Sequence, residues 1–523
     1  MIIFVIAMKN FLLAILSGIL FSISWPVDGI VYFIFFAFTP LLYINSKFDK
    51  KEKSSALKFF FFSFVAFFIF NIVTTYWVYF ASPFGAIFAF IINSLLMSFV
   101  MLLFFYSDKI LSKRLAYFSL IVFWLTFEYL HLNWDLSWPW LTLGNCFSES
   151  LFLINWYEYT GVLGGTLWIL FLNILFYELI VLKKKKTIYF LFFFITIPFF
   201  ISQILSNKKD IKNDTFNVVV VQPNVDPYLE KFTVDFRDQL NDFIRLARTK
   251  VDTNTNLLVG PETALQESIW ESKVNYSESI IELKKLQLDF PKLNILLGAT
   301  TYKLFKKGES KSSTARQFRK EDLWYDIYNS AIYIPNNQKI SVYHKTKLVP
   351  GAEQIPFLSL LNSFSSLSVD LGGVSGSLGS ENTTESFEVD KFSLLPLICY
   401  ESIYGDLNTA KFFDVMCIIT NDGWWKNTAG YKQHFSYASL RAIENRRWIV
   451  RSANTGISGV INEKGDVIRK TDWNQAVSFE EQVSLFNVNT FYNIYGDYIG
   501  RIAVFISLLL IAISFTKNKI SVK

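Results

Sequence analysis

Cysteine is nearly absent from this chain, with three in 523 residues, at Cys146, Cys399 and Cys417. A dense disulfide framework is therefore excluded, and stability must come from packed cores. Histidine is as scarce, with only His131, His344 and His434. Neither H-E-x-x-H nor C-x-x-C occurs, so a metal has no obvious seat and none is expected. No G-x-S-x-G occurs, which argues against a serine-hydrolase elbow. No nucleotide-cradling glycine motif follows a strand, and no cofactor is expected. The charge surplus is small, at +6. Nothing in it calls for a nucleic-acid partner.

Apolar residues are what the chain has in abundance. They make up 52% of it, with 55 Phe, too many for an ordinary soluble protein. They are unevenly spread. Residues 1–207 read as a membrane domain of about seven spans, 213–493 as a separate folded domain, and 500–516 as a last span. A spanning helix needs about 20 apolar residues. Candidate spans fall near 10–25, 29–44, 59–80, 84–106, 115–131, 161–182, 188–206 and 500–516. The first lacks a small-residue cleavage site and a second follows at once, so it is read as a span and not as a signal peptide.

Positive charge alternates along the loops. NSKFDKKEKSSALK, Lys109 with Lys113 and Arg114, the run Lys183 to Lys186, and the tail bearing Lys517, Lys519 and Lys523 are basic. The intervening loops are poor in Lys and Arg, and residues 131–160 have none. Basic loops stay on the cytoplasmic side. The expectation is a multi-pass protein with both termini cytoplasmic and the large domain outside, which in a bacterium is the periplasm.

That domain reads as strands FNVVVVQPN, NLLVG, NILLGATTY, NSAIYIP, LLPLIC, VMCIIT, WIVRSA and ISGVI, with helices between them. Buried strands alternating with helices predict a layered α/β domain. Residues 303–322 and 362–390 read as long surface loops that are either plain connections or lids. Within the spans, Glu128 is expected to snorkel to the interface. Asn173 is expected to bond between helices.

Three residues could carry chemistry. Cys399 ends an apolar strand and is followed by Tyr400 and Glu401, whereas Cys417 lies mid-strand as an ordinary core thiol. Glu262, in LLVGPETAL, also follows a strand. Lys345 lies in VYHKTKLVPGAE. A thiol needs a base to become a nucleophile, and a buried carboxylate suits that task. An ammonium or backbone N–H can hold the oxyanion of acyl transfer. A Cys–His pair using His344 or His434 ranks below this set.

In this order GPETA, YHKTKLVPGAE, LICYES and TNDGWWKNTAGYKQH resemble the nitrilase, or carbon–nitrogen hydrolase, family. With the spans around them, nearly the whole chain resembles the bacterial apolipoprotein N-acyltransferases. The resemblance implies a multi-span α-helical membrane domain plus an α/β nitrilase-like α-β-β-α sandwich. It implies Glu262 as general base, Lys345 rather than Lys347 as oxyanion stabiliser and Cys399 as nucleophile. Glu353, Tyr400, Glu401 and Trp424 match supporting positions, and Trp138 lies in a segment resembling a membrane-side loop near the lipid entrance.

The reaction it implies is ping-pong. An acyl chain passes from a phospholipid, phosphatidylethanolamine above all, to the cysteine and then to the N-terminal amine of a diacylglyceryl apolipoprotein. The partners implied are those two lipids and the bilayer of a bacterial inner membrane, around a monomer. Gly351-Ala352 replaces the family's Phe-Gly after LVP, Trp425-Lys426 replaces Phe-Gly after NDGW, and Phe232 stands where Trp is frequent. A membrane-tethered amidase, in which water takes the acyl group, is the alternative. A non-catalytic transporter ranks third.

Overall fold

The computed structural model describes residues 2–208, 214–318, 323–357, 377–389, 391–486 and 488–522. The chain divides into two compact units, one of Met1–Tyr79, Pro83–Lys208 and Tyr495–Lys523, the other of Phe80–Ser82 and Lys209–Ile494.

The first unit is helical. Among the described residues, six helices are long and apolar enough to cross a membrane: Ile6–Ile23, Ser54–Thr75, Pro83–Ile110, Tyr157–Ile180, Thr187–Ser206 and Tyr498–Lys517. The sequence suggested eight. Segment 29–44 instead breaks into a 3-10 helix, Val31–Phe36, and a short helix, Thr39–Lys47, with Pro40 in its first turn, where the missing N–H costs nothing. Segment 115–131 does form a helix, Lys113–His131, but charge at both ends leaves it less apolar than the six. Asn173 ties these pieces together as expected. Its Oδ1 accepts from Phe38 N at 2.8 Å and its Nδ2 donates to Ile34 O at 2.8 Å. Glu128 does not snorkel. It is buried, and accepts from Trp124 Nε1 at 3.0 Å, Leu143 N at 2.8 Å and Thr166 Oγ1 at 2.7 Å. Three donors in one apolar bundle offset the loss of water.

The second unit is built on two sheets. Strands β1 (Asp214–Gln222), β2 (Thr255–Val259), β3 (Leu265–Trp270), β4 (Asn294–Leu304), β5 (Arg316–Gln317), β6 (Trp324–Ile334), β7 (Ser341–His344) and β14 (Val477–Leu485) form one. Its main path runs β14-β1-β2-β4-β6-β5, with β3 on β4 and β7 on β6. Strands β8 (Phe387–Val389), β9 (Phe392–Ile398), β10 (Val415–Thr420), β11 (Trp448–Ala453), β12 (Gly459–Ile461) and β13 (Val467–Lys470) form the other, ordered β13-β12-β11-β10-β9-β8. The first supposed surface loop is thus partly sheet, since β4 runs to Leu304 and β5 pairs with β6. Residues 362–376 and 390 of the second lie outside the described residues, and β8 occupies part of the remainder.

Side-chain alternation along the strands explains the layering. Val218 and Val220 of β1 pack with Val415, Cys417 and Ile419 of β10 between the sheets. Val219 and Val221 point the other way, against Leu240 and Phe243 of helix Phe236–Arg248 and Ile280 and Leu283 of helix Glu278–Asp289. On the far side, Leu395, Leu397, Met416 and Ile418 meet Phe435, Ala438 and Ala442 of helix Ala429–Asn445. The order is helix, sheet, sheet, helix. Each valine of β1 is fully buried, and each such burial is worth about 1.5–3 kcal/mol. That both faces are apolar is why the run VVVV carries no alternation.

Candidate active site

The site lies where strands of both sheets end. After β9 the chain turns through the 3-10 helix Cys399–Ile403, and Cys399 has φ of 53°. After β2 it turns through Gly260, Pro261, Glu262 and Thr263, and Thr263 has φ of 48°. Left-handed backbone is costly for a non-glycine residue, and more so for β-branched threonine. Both turns are held in place by their surroundings. No helix follows Glu262, so a helix dipole does not account for its position.

Gly298 of β4 makes room for the Glu262 turn. A Cβ there would lie 2.4 Å from Thr263 N and 2.6 Å from Glu262 Cα, and Gly298 N donates to Pro261 O at 2.9 Å. Gly298→Ala is expected to push the Glu262 carboxylate aside. Misplacement of about 1 Å costs on the order of 100-fold, so turnover should fall by that factor while the melting temperature of the folded protein changes far less. Unchanged turnover would mean that the turn tolerates the displacement.

Glu262, Lys345, Glu353 and Asn329 form one buried polar cluster. Lys345 Nζ donates to Glu353 Oε1 at 2.9 Å and approaches Glu262 Oε1 at 3.4 Å. Asn329 Nδ2 donates to Glu262 Oε1 at 2.7 Å and Glu353 Oε1 at 3.0 Å. Backbone N–H groups complete both carboxylates, Asn421 N to Glu262 Oε2 at 3.0 Å and Val349 N to Glu353 Oε2 at 2.8 Å. Burial works against the Lys345 charge, but Glu353 and Glu262 outweigh it and hold its pKa above the ordinary lysine value. The Cys399 thiol feels both Glu262 and Lys345. Burial and then Glu262 push its pKa well up, with Lys345 opposing. Raising the pKa favours the neutral thiol over the thiolate.

Glu401 fastens the Cys399 turn to the Lys345 loop. Its Oε1 accepts from Tyr343 Oη at 2.7 Å, Thr346 N at 2.6 Å and Thr346 Oγ1 at 2.8 Å, and its Oε2 from Ile398 N at 2.7 Å. Tyr400 is buried, edge-on to Tyr404. Trp424 is half-buried, with its ring 5.4 Å from the Tyr228 ring. Trp138 belongs to the helical unit, where it stacks on Trp140. The structure thus groups Glu262, Lys345, Glu353, Cys399 and Glu401, while Trp138 lies in the other compact unit.

Neither histidine of the alternative pair faces the thiol. His434 Nε2 lies 2.9 Å from Ser402 Oγ and 3.1 Å from the Cys399 carbonyl oxygen, and its Nδ1 lies 2.9 Å from Asp422 Oδ1. Arg451 Nη2 donates to Asp422 Oδ2 at 2.8 Å. His344 spans Glu271 (2.6 Å) and Glu381 (2.7 Å) and stacks on Tyr328. Asn329, Asp422 and Lys231 escaped the sequence reading, and His434 was weighed there only as a partner for the thiol. TNDGW and YKQH stand out as motifs, but nothing local marks which of their side chains pack around the Cys399 turn.

Burial works against the His344 proton, but the two carboxylates outweigh it and raise its pKa. A raised histidine adds stability that is complete below its unfolded value, near 6.5, and is lost as pH rises through the folded value. His344→Gln is therefore expected to cost about 1–2 kcal/mol at pH 6 and progressively less toward high pH. Thermal melts of both proteins across that range check this, and a pH-independent gap would refute it.

Two family models match the chain. One, described as carbon–nitrogen hydrolase, covers residues 218–481, the two-sheet unit with its strand-end cysteine, and the chain belongs to that family. The second, the apolipoprotein N-acyltransferase N-terminal domain, covers residues 17–175. Curated relatives match at full length. Apolipoprotein N-acyltransferase of Chlorobaculum tepidum is 26% identical, covering 98% of this chain and 97% of its own. That of Thermotoga maritima is 26% identical, covering 96% and 93%. Within the carbon–nitrogen hydrolases, the chain is thus one of the apolipoprotein N-acyltransferases. Among solved structures, Saccharomyces cerevisiae Nit3, of the nitrilase superfamily, aligns over 53% of this chain and 93% of its own, with 16% identity and a TM-score of 0.37.

Proposed function

We propose that this chain moves an acyl chain from a membrane phospholipid to the free α-amine of a diacylglyceryl-cysteine at an apolipoprotein N-terminus, through a thioester on Cys399. One observation carries the reading: a buried thiol on a strained strand-end turn, beside an ammonium shared by two buried carboxylates.

Cys399 Sγ attacks the ester carbonyl of the donor as its proton passes to Glu262. Lys345 offsets the charge on the tetrahedral oxygen. The C–O bond to glycerol breaks, Glu262 returns the proton to the leaving oxygen, and a lysophospholipid departs. The acceptor amine then attacks the thioester, the C–S bond breaks, and the amine's proton returns to sulfur through Glu262. Two half-reactions share one site, and the thioester keeps enough reactivity to acylate an amine without nucleotide. Glu353 holds Lys345, and Glu401 holds both loops. The alternation of basic loops supports placing the second unit on the outer, periplasmic face of the inner membrane, with both termini cytoplasmic.

Intact mass spectrometry tests this. The purified full chain, incubated with phosphatidylethanolamine micelles and no acceptor, should gain the mass of one acyl group. A diacylglyceryl-cysteine peptide should discharge it and emerge triacylated. Free fatty acid released in place of the adduct would support a hydrolase instead.

A further inference from the structure

Three buried cations of the second unit are held by carboxylates. Lys345 is engaged by Glu262 and Glu353, Arg441 by Glu444 and Arg451 by Asp422. Lys231 is also buried, at 8% exposure against 1% or less for those three, yet no carboxylate lies within salt-bridge distance of it among the described residues. Its Nζ makes one hydrogen bond, to Thr263 Oγ1 at 2.6 Å, though an ammonium carries three donors. Aromatic rings flank it, Trp424 at 5.4 Å and Phe232 at 5.6 Å. These rings favour a cation but offer no hydrogen-bond acceptor.

Lys231 lines a cleft together with Glu262, Thr263, Gln266, Asn421 and Asn454. It lies within electrostatic reach of Glu262, Cys399 and Glu353. Burial lowers its pKa to about 8, against the pull of those groups. A buried charge without a paired counter-ion is unfavourable unless an anion arrives. Lys345 is the poorer seat for a bound phosphate, because two carboxylates already share its ammonium.

We infer that Lys231 is the anchor for the phosphodiester of the acyl donor. The inference rests on the acyltransfer reading above. In a glycerophospholipid only the glycerol carbons separate the phosphate from the ester to be cleaved, so an anion site beside Cys399 and Glu262 is where that phosphate must come. Lys231 binds the donor in the first half-reaction and has no such partner in the second, where the acceptor brings an amine.

The test compares two acyl donors on the wild type, Lys231→Met and Lys231→Arg, each checked for an intact melting transition. One donor is phosphatidylethanolamine and the other is p-nitrophenyl palmitate, which has an ester but no phosphate. The readout is the rate of thioester formation, followed by intact mass. For Lys231→Met, the preference for the phospholipid over the neutral ester should fall by about 10- to 100-fold, the loss of one charge-assisted bond, and the fall should appear in KM. Lys231→Arg, which keeps the charge, should retain most of the preference. Equal losses on both donors, or no loss, would overturn the inference, as would an arginine variant that behaves like methionine. Failure of the wild type to form a thioester from either donor would instead sink the acyltransfer reading, and the inference with it.

Discussion

Cys399→Ala is expected to abolish the acyl adduct and to lower acyl transfer by about 10⁵-fold or more, the scale seen when a covalent nucleophile is removed. Its fold should survive. The thiol is buried but makes up a small part of the core between the sheets, and alanine at φ of 53° is strained as cysteine is. Cys399→Gly separates chemistry from strain. Glycine adopts left-handed backbone freely, so this variant should be equally dead but should recover part of the roughly 1–3 kcal/mol that such a conformation costs. Acyl transfer surviving in the alanine variant would remove Cys399 from the mechanism. A glycine variant less stable than alanine would mean that packing of the side chain, not backbone strain, dominates at this turn.

Lys345→Met should be nearly as damaging, and by two routes. It removes the cation beside the developing oxyanion, worth about 10²–10³-fold in rate. It also leaves Glu262 and Glu353 buried together without the ammonium that both touch, and breaking a buried pair from one side costs about 3–5 kcal/mol. The two effects separate in a double variant. Adding Glu353→Gln removes one of the stranded charges, so stability should return in part while acyl transfer stays low. Chemical denaturation and acyl-transfer assays of the three proteins measure both. Additive losses in the double variant would mean that the lysine and Glu353 are not coupled.

The sequence was informative wherever a candidate residue carries a chain-local sign. Cys399 and Glu262 stand where apolar strands stop, and Lys345 stands in a segment whose family resemblance is strong. The layering followed from VVVV and VMCIIT, which are apolar at every position and so must be covered on both sides. What escaped was pairing over distance. Asn329 meets Glu262 from 67 residues away, and Asn421 reaches it from 159. No pattern within a window reports such contacts. Strand β13, exposed throughout, has no apolar face to announce it. Among the described residues six of the eight expected spans are long and apolar enough, because hydropathy sums over a window hide a Pro-bearing break, as at Thr39–Lys47, and charge at helix ends, as at Lys113–His131. Glu128 was misjudged for a related reason: its donors, Leu143 N and Thr166, come from other segments.

One feature of the sheet bears on how the protein is made. Strand β1 pairs antiparallel with β14 along its whole length, and its last residue, Gln222, donates through Nε2 to the carbonyl of Gln475, 253 residues on. During synthesis β1 therefore emerges long before the neighbour that closes its outer edge. An uncovered strand of valines is a ready template for pairing with another chain, and contacts this remote form slowly. A ribosome that stalls before β14 leaves that edge open. Such a nascent fragment is marked for capture by holding chaperones or for degradation, and completion of the sheet becomes the checkpoint that separates a finished enzyme from a partial one.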